Sequence, residues 1–131
     1  MYLHDYRVVD FETMIRSGWP AAVDPRRTLL LDHAPANPPG GSAGDGTAQI
    51  VTYANTEVTV DVEAASGGFL LLNDVWHPWW RAEVDGVPAP ILKADVLFRA
   101  VLVEPGRLRV RFVFHPFLGA WEELHGMLAA R

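Results

Sequence analysis

Three of the five tryptophans in this 131-residue sequence lie within five positions of one another, in a segment that runs from residue 73 to residue 86. Exposed aromatic rings stack on the C–H faces of sugars, and neighbouring polar or charged groups bind hydroxyls. The segment therefore suggests a platform for carbohydrate. Its candidate ligand-binding residues are Trp76, His77, Trp79 and Arg81.

The same tryptophans also have a purely structural interpretation. Trp80 is in phase with Ala82 and Val84 in an alternating pattern, so its ring would fill the core while Trp76 and Trp79 cover the edge. Large aromatic side chains dominate the energetics of protein cores, which makes packing the commoner role of such a cluster. Packing is favoured, and ligand binding is kept as the alternative.

Aspartates and histidines raise the question of a metal site, because Asp74 and His77 are spaced i, i+3. A metal site needs three or four ligands that converge, and no His-x-His or His-Glu-x-x-His pattern forces that convergence here. We therefore predict no metal and no cofactor. Further residues of these types lie elsewhere in the sequence, at Asp32, His33, His115 and His125.

Nucleophilic and acid–base catalysis find little support in the sequence. The chain has no cysteine, which excludes thiolate nucleophiles and disulfides. Its three serines lie in predicted turns or helix ends, and none is part of a Gly-x-Ser-x-Gly elbow. Asp61 and Glu63 are expected on the wet side of a strand, where solvation is their ordinary role. We therefore predict a protein that is not an enzyme.

The charges argue against nucleic acid as a partner, since 11 basic and 16 acidic residues give a net charge of −5. Arg107, Arg109 and Arg111 line one strand face, which we interpret as solvated and paired with Glu104 across a turn. Arg99 differs, because its strand is otherwise apolar. We expect Arg99 to be partly buried and to need a carboxylate partner, in a structural role.

The hydrophobic pattern has a period of two from residue 47 onward, as is typical of strands with one wet face. Asp85-Gly86 predicts a hairpin, and Pro105-Gly106 suits a type II turn. Strands are predicted at residues 28–31, 49–53, 57–64, 69–72, 80–84, 91–94, 98–103 and 107–114. Seven or so short strands with almost no helix predict an all-β fold, an antiparallel β-sandwich of immunoglobulin-like or jelly-roll-like type.

Residues 1–34 are predicted to pack on the sandwich as a helix and strand segment. Asp10 is a candidate N-cap and Gly18 a candidate stop for a helix over residues 11–17. The helix face expected to dock on the core consists of Phe11, Met14 and Ile15.

The rest of the chain divides into three predicted parts. Residues 35–46 are rich in proline and glycine, which is typical of a flexible loop. Residues 47–116 form the sandwich core. Residues 117–131 are a tail that is helical if Trp121, Leu124 and Leu128 share a face.

No stretch of the chain is predicted to span a membrane, because a spanning helix needs about 20 mostly apolar residues. The best candidates, residues 69–72 and 96–103, are short or contain Arg99. The N-terminus also lacks the basic start and apolar stretch of a secretory signal. A location outside the cytoplasm would therefore require this chain to be part of a larger protein.

A resemblance to a known family appears in several motifs taken in order. They are Gly68-Phe-Leu-Leu-Leu-Asn-Asp74, His77-Pro-Trp-Trp-Arg-Ala-Glu-Val-Asp-Gly86, Phe98-Arg-Ala-Val101, Pro105-Gly106 and Phe112-Val-Phe-His-Pro116. Together they resemble the C-terminal soluble region of the bacterial YfhO-like membrane proteins. The chain departs from that pattern in two places. Trp79 stands where the family usually has glycine, and Glu122 and Glu123 lie where the family continues into a membrane helix.

The resemblance implies a β-domain on the extracytoplasmic side of a polytopic enzyme that resembles lipid-linked sugar transferases. The catalytic acids of such enzymes lie near the membrane-embedded part, so no transferase activity is expected of these residues. The motif residues look like determinants of the fold, with Asp85 and Gly86 making the hairpin and Trp80 and Phe98 filling the space between the sheets. They are Trp80, Asp85, Gly86, Phe98 and Arg99.

The sequence therefore favours a non-catalytic β-sandwich accessory domain, extracytoplasmic if it is part of a larger membrane protein. Such a domain would contact a glycan or polymer acceptor, or brace its membrane-embedded parent protein. The first alternative is a free-standing carbohydrate-binding module that uses Trp76, His77 and Trp79. The second alternative is a small cupin-like metal-dependent enzyme. The oligomeric state stays open.

Overall fold

A computed structural model of the chain describes residues 1–35, 38–39 and 45–115. These residues form eleven strands and one short helix. In chain order the elements are β1 (Tyr2–Leu3), β2 (Asp5–Val8), α1 (Phe11–Ser17), β3 (Thr28–Leu31), β4 (Gly46–Ala54), β5 (Glu57–Ala64), β6 (Gly68–Val75), β7 (Trp80–Val84), β8 (Val87–Ala89), β9 (Leu92–Ala94), β10 (Phe98–Val103) and β11 (Gly106–Phe114).

The strands form two sheets, which confirms the predicted all-β sandwich. One sheet has six strands in the order β1-β6-β10-β9-β3-β2, and the other has five in the order β4-β5-β11-β7-β8. Every neighbouring pair is antiparallel except β2 and β3, which run parallel and are joined through α1. A parallel pair needs such a crossover connection, because a tight turn would make the next strand antiparallel.

The main core lies between the two sheets. It is built by alternation, since every second residue of β5 and β6 points inward while its neighbours point away. Trp80 and Val84 are partly buried and pack against this core, which confirms the predicted phase of β7. The buried members are Val58, Val60, Val62, Leu70, Leu72, Ala82, Val101, Val103, Val110 and Phe112.

A second apolar cluster lies on the opposite face of the six-stranded sheet. Its buried members are Leu3, Leu29, Leu31, Phe69, Leu71, Ala94 and Ala100. Phe98 packs against this cluster, so the expectation that it fills the space between the sheets is wrong. The reason is strand alternation, because Arg99 and Val101 occupy the inward positions of β10 and Phe98 must face the other way.

The helix α1 covers the remaining end of the six-stranded sheet. Asp10 is its N-cap, with the carboxylate accepting from the Glu12 N–H at 3.1 Å, and Gly18 ends it with φ of 85°. Phe11 and Met14 pack against Leu30 of β3. Ile15 is 71% exposed, so its predicted place on the docking face is wrong, because a helix this short turns only one narrow face to the sheet.

The Asp85-Gly86 hairpin is confirmed, but its return strand differs from the prediction. Both residues have positive φ, 49° and 82°, as a two-residue type I′ turn requires. The chain returns at once through β8, whereas residues 91–94 were expected in that role. Pro90 follows β8 and offers no N–H to extend the pairing. The strand β9 instead crosses to the six-stranded sheet, where it pairs with β10 and β3.

The Pro105-Gly106 turn joins the two sheets rather than two neighbours in one sheet. Gly106 has φ of 119°, which suits the glycine position of such a turn. The strands on either side, β10 and β11, lie in different sheets and do not pair with each other.

The remaining sequence predictions concern the segment boundaries. The N-terminal segment contributes three strands to the six-stranded sheet, of which only β3 was anticipated. The predicted flexible loop at 35–46 falls largely on residues 36–37 and 40–44, and the predicted helical tail at 117–131 falls entirely outside the described residues. Among the residues described, no helix has the length and apolar character needed to cross a bilayer.

Candidate functional site

An irregularity in strand pairing places a carboxylate at one end of the sandwich. Arg99 pairs with Leu72, while the preceding Phe98 pairs with Val75, so two residues of β6 have no counterpart in β10. Those two residues are Asn73 and Asp74. Bulges of this kind re-aim side chains, and here the bulge brings Asp74 over the buried Arg99.

Arg99 forms a buried ion pair with Asp74. The arginine is 1% exposed, and its Nη2 donates to Asp74 Oδ2 at 3.1 Å. This confirms the expectation that Arg99 is buried and has a carboxylate partner. Asp74 was identified in the sequence only as a possible metal ligand, so the pairing itself was not predicted.

The Arg99 guanidinium also packs against two aromatic rings. Its central carbon lies 3.9 Å from the centroid of the Trp80 ring and 5.4 Å from that of Phe112. Such cation–π contacts offset part of the cost of burying a charge. Within the described part of the chain, Arg99 Nε and Nη1 are buried without a hydrogen-bond partner. Burial lowers the pKa of Arg99, and the nearby Asp74 carboxylate opposes that change.

Tyr53 on β4 completes a polar chain with this pair. Its hydroxyl lies 2.9 Å from Asp74 Oδ2 and 3.1 Å from Oδ1, and it donates to that carboxylate. The hydrogen bond to Asp74 raises the pKa of Tyr53, because it stabilises the protonated phenol. The chain Tyr53–Asp74–Arg99 thus joins an edge strand of one sheet to the interior of the other.

The linked side chains of Tyr53, Asp74 and Arg99 line an open cavity of about 300 Å³, which we call the Arg99 cavity. Its polar lining comes from Tyr53, Asn55, Asp74 and Arg99. An indole, Trp80, is also part of the wall. The remaining lining residues are Ala54, Val58 and Val75.

Next to the cavity lies a group of packed rings, which we call the aromatic edge: His77, Trp79, Trp80 and Phe114. Phe114 is central, with ring centroids at 5.3 Å from Trp80, 5.6 Å from His77 and 6.0 Å from Trp79. His77 and Trp79 meet edge to face at 5.0 Å, and His77 Nδ1 accepts from the Trp79 backbone N–H at 3.1 Å. The predicted ligand-binding residues His77 and Trp79 are therefore brought together.

The other two predicted ligand-binding residues lie close by in sequence but have separate contacts. Trp76 is half-buried and has the Lys93 ammonium 5.3 Å from its ring centroid. Arg81 Nη1 donates to the Pro78 carbonyl at 2.6 Å and to the Trp80 carbonyl at 3.2 Å. Arg81 thus stabilises the backbone between the tryptophans.

The arginine stripe of β11 forms a surface ladder with carboxylates of β5. Arg109 donates to Asp61, with Nε 2.7 Å from Oδ1, and Arg107 Nε lies 3.6 Å from a Glu63 oxygen. Arg111 pairs with Glu57 on β5 and with Glu83 on β7. The suggested pairing with Glu104 is therefore wrong, because strand register places a carboxylate directly opposite each arginine: Glu63 opposite Arg107, Asp61 opposite Arg109 and Glu83 opposite Arg111. A depression of about 410 Å³ lies over part of this ladder, but its charged groups already pair with one another.

A metal site is not apparent in residues 1–35, 38–39 and 45–115, which contain no group of three or more potential ligands. Asp74 is engaged by Arg99 and Tyr53 rather than by His77. His125 falls outside the residues that the structure describes.

Comparison with known proteins adds no relative to this picture: no family model, no curated protein and no solved structure matches the chain. The similarity to YfhO-like proteins therefore stays a prediction from the sequence motifs.

Sequence reasoning missed Tyr53 and Asn55 as part of the site. Both lie at the end of β4 and its turn, where their residue types are ordinary. Their position next to Asp74 depends on how the two sheets stack, and no local pattern carries that information.

Proposed function

We propose that this chain is a non-catalytic β-sandwich domain that contacts carbohydrate through the Arg99 cavity and the aromatic edge. We further propose that it serves as an extracytoplasmic accessory domain of a membrane glycosyltransferase-like protein, where it holds a glycan or polymer acceptor. The first proposal rests on one observation. The linked side chains of Tyr53, Asp74 and Arg99 line the same open cavity as the indole ring of Trp80.

The chemistry of the cavity lining suits a polyhydroxylated ligand. Sugar hydroxyls both donate and accept hydrogen bonds, and the lining offers both kinds of group: an amide at Asn55, a carboxylate at Asp74 and a phenol oxygen at Tyr53. A volume of about 300 Å³ lies at the lower end of small-molecule sites. The cavity therefore suits one sugar unit, with neighbouring units of a polymer extending over Trp79 and His77.

The charge arrangement supports a binding role over a hydrolytic one. Glycoside hydrolysis ordinarily uses two carboxylates in different environments. Asp74 is the one carboxylate among the described residues that line the Arg99 cavity, and it is already paired with a cation. Such a carboxylate acts as a fixed acceptor.

A free-standing carbohydrate-binding module would use the same residues. The two roles differ only in whether the domain is attached to a membrane partner, and the sequence motifs favour attachment. Isolating the native protein from cell fractions would separate them, because an attached domain is recovered with the membrane.

The binding proposal is tested with the purified chain on an array of bacterial cell-wall and capsular oligosaccharides, followed by calorimetric titration of the best responder. We expect Trp79→Ala and Asn55→Ala each to weaken binding by about tenfold or more, as loss of a stacking ring or of a hydrogen-bond partner does. Trp19→Ala is the matched control, since Trp19 is a partly exposed tryptophan whose indole donates to Val23.

Two results would contradict the proposal. One is the absence of binding to any oligosaccharide on the array. The other is an equal loss of affinity in the Trp19→Ala control, which would show that the variants act through general stability.

A further inference from the structure

The edge strand β4 differs from every other long strand in its exposure. Residues 49–54 are six consecutive exposed positions, whereas β5 beside it alternates between buried and partly exposed residues. Ile50 is 51% exposed, Val51 50% and Tyr53 61%. The second half of β4 therefore presents apolar side chains on both faces, and among the described residues no strand pairs with its outer edge.

The two edges of the five-stranded sheet are not equally protected. At one edge β8 has only three residues and contains Pro88, with Pro90 following, so it offers few N–H groups for pairing. At the other edge β4 has nine residues and contains no proline and no charged residue. Natural proteins protect edge strands by shortening, proline, charge or a bulge, and of these features β4 has only a bulge, at Val51.

The outward-facing backbone groups of β4 follow from its pairing with β5. The Asp45 carbonyl accepts from the Ala65 N–H at 2.9 Å, so odd-numbered residues of early β4 point their backbone groups toward β5. Alternation then directs the N–H and C=O groups of Gly46, Ala48 and Ile50 away from the sheet. Val51 is the extra residue of a bulge that follows.

Beside this edge lies a groove of about 350 Å³ between the two sheets, whose lining is mostly apolar and also includes Asn73 and Asp74. Ile50 and Tyr53 form one side of it, and Leu70 and Leu72 of β6 form the other. A strand that paired with β4 would thus gain apolar contacts in addition to backbone hydrogen bonds.

We propose that β4 is a self-association edge, at which the β4 strands of two copies pair antiparallel about a two-fold axis. The pairing joins two five-stranded sheets into one continuous sheet. This inference does not depend on carbohydrate binding.

Charge complementarity favours a second copy as the occupant. In a two-fold arrangement each position of β4 faces a position of the same strand, and a strand without charged residues brings no like charges together. The charges of this sheet lie on β5, β7 and β11, where Asp61–Arg109 and Glu57–Arg111 pairs neutralise one another. A highly charged peptide would find no complementary group on β4.

The test is sedimentation equilibrium of the purified full chain over a concentration range, compared for four sequences. The wild type is expected to show a monomer–dimer equilibrium. Ile50→Lys and Val51→Lys are each expected to weaken the dimer by about tenfold or more, because charged residues on an edge oppose strand pairing. Val87→Lys is the matched control at the protected edge, since Val87 is 66% exposed on β8, and its dimer is expected to be unchanged.

Amide hydrogen exchange separates loss of pairing from loss of folding. In the wild type, protection of Ala48 and Ile50 is expected to rise with protein concentration while protection of Val60 stays constant. A wild type that remains monomeric throughout, or a Val87→Lys variant that dissociates as readily as Ile50→Lys, would overturn the proposal.

Discussion

The molecule contains two sets of arginine–carboxylate pairs that have similar distances and opposite surroundings. Arg99 and Asp74 meet at 3.1 Å inside one end of the sandwich, where the arginine side chain is 2% exposed. Arg109 and Asp61 meet at 2.7 Å on the outer face of the five-stranded sheet, where both side chains are about half exposed. The Arg99 guanidinium packs against Trp80 and Phe112, whereas Arg109 and Asp61 face solvent.

The difference shows that environment, rather than distance, determines what an ion pair contributes. A charge taken out of water depends on its partner, because removal of that partner leaves it uncompensated in a medium of low polarity. A charge on the surface is solvated with or without its partner, and salt screens the attraction. Removal of one partner is therefore expected to destabilise the protein at the Arg99–Asp74 pair and to have little effect at the surface pairs.

The largest effect is expected from Asp74→Ala. This variant leaves Arg99 buried without its carboxylate, and should lower the free energy of unfolding by about 3 kcal/mol, the lower end of the cost of breaking a buried pair. The lower end applies because the Asp74 side chain is itself 31% exposed. Urea unfolding monitored by tryptophan fluorescence measures the change.

The companion variant for that measurement is Arg99→Met, which removes the buried charge and keeps much of the volume. It should cost less than Asp74→Ala, since a buried ion pair is often replaced by apolar groups without loss. Equal losses in the two variants would show that an uncompensated buried charge is not the source of the Asp74→Ala loss, and would contradict the distinction between the two sets of pairs.

A smaller effect is expected from Trp80→Ala, which removes the ring stacked on Arg99. The ring is only partly buried, so we expect a loss of about 2 kcal/mol, less than for a fully interior aromatic residue. Thermal unfolding followed by circular dichroism measures it. A loss as small as that of an ordinary surface substitution would mean that the stacking at 3.9 Å contributes nothing to stability.

The parts of this structure that sequence could predict are those with local physical causes. The Asp85-Gly86 hairpin follows from two positive-φ residues, and the phase of β7 follows from alternation around Ala82. Burial of Arg99 was predictable because its strand neighbours are apolar. Each of these features depends on residues within a few positions of one another.

The parts that could not be predicted depend on contacts between distant segments. Asp74 meets Arg99 through a bulge in the pairing of β6 with β10, and Tyr53 reaches both from the other sheet. Phe98 was assigned to the wrong side, since the sequence did not show that the six-stranded sheet has apolar clusters on both faces. β1 and β2 are too short or too polar to show a strand pattern.

Asp95 is a half-buried carboxylate that accepts a hydrogen bond from the Leu30 N–H at 2.9 Å. Burial raises its pKa above the ordinary 3.8, so its ionised form costs stability once the pH rises through the folded-state pKa. Asp95→Asn keeps the acceptor and suits the positive φ of 47°. We expect it to raise the unfolding midpoint at pH 7 and to have no effect below pH 3.8, where the aspartic acid is neutral too.

Asp61→Asn should have the smallest effect. The Arg109 hydrogen bond lowers the pKa of Asp61 below the ordinary 3.8, so any contribution is fully present above that pH and is lost as the pH falls through the folded-state pKa. Because both groups are exposed, we expect no resolvable change in the urea midpoint at pH 7 in 0.15 M salt. A loss as large as that of Asp74→Ala would contradict the contrast between the two sets of pairs.

The most direct measurement is a titration of the ¹⁵N-labelled chain with the best-responding oligosaccharide, followed through the indole N–H resonances. Binding at the proposed site predicts saturating shifts for Trp79 and Trp80, while Trp19, which lines neither the Arg99 cavity nor the aromatic edge, stays unchanged. Saturable binding that leaves the Trp79 and Trp80 resonances in place would show that the ligand occupies another surface, and would contradict the proposed site.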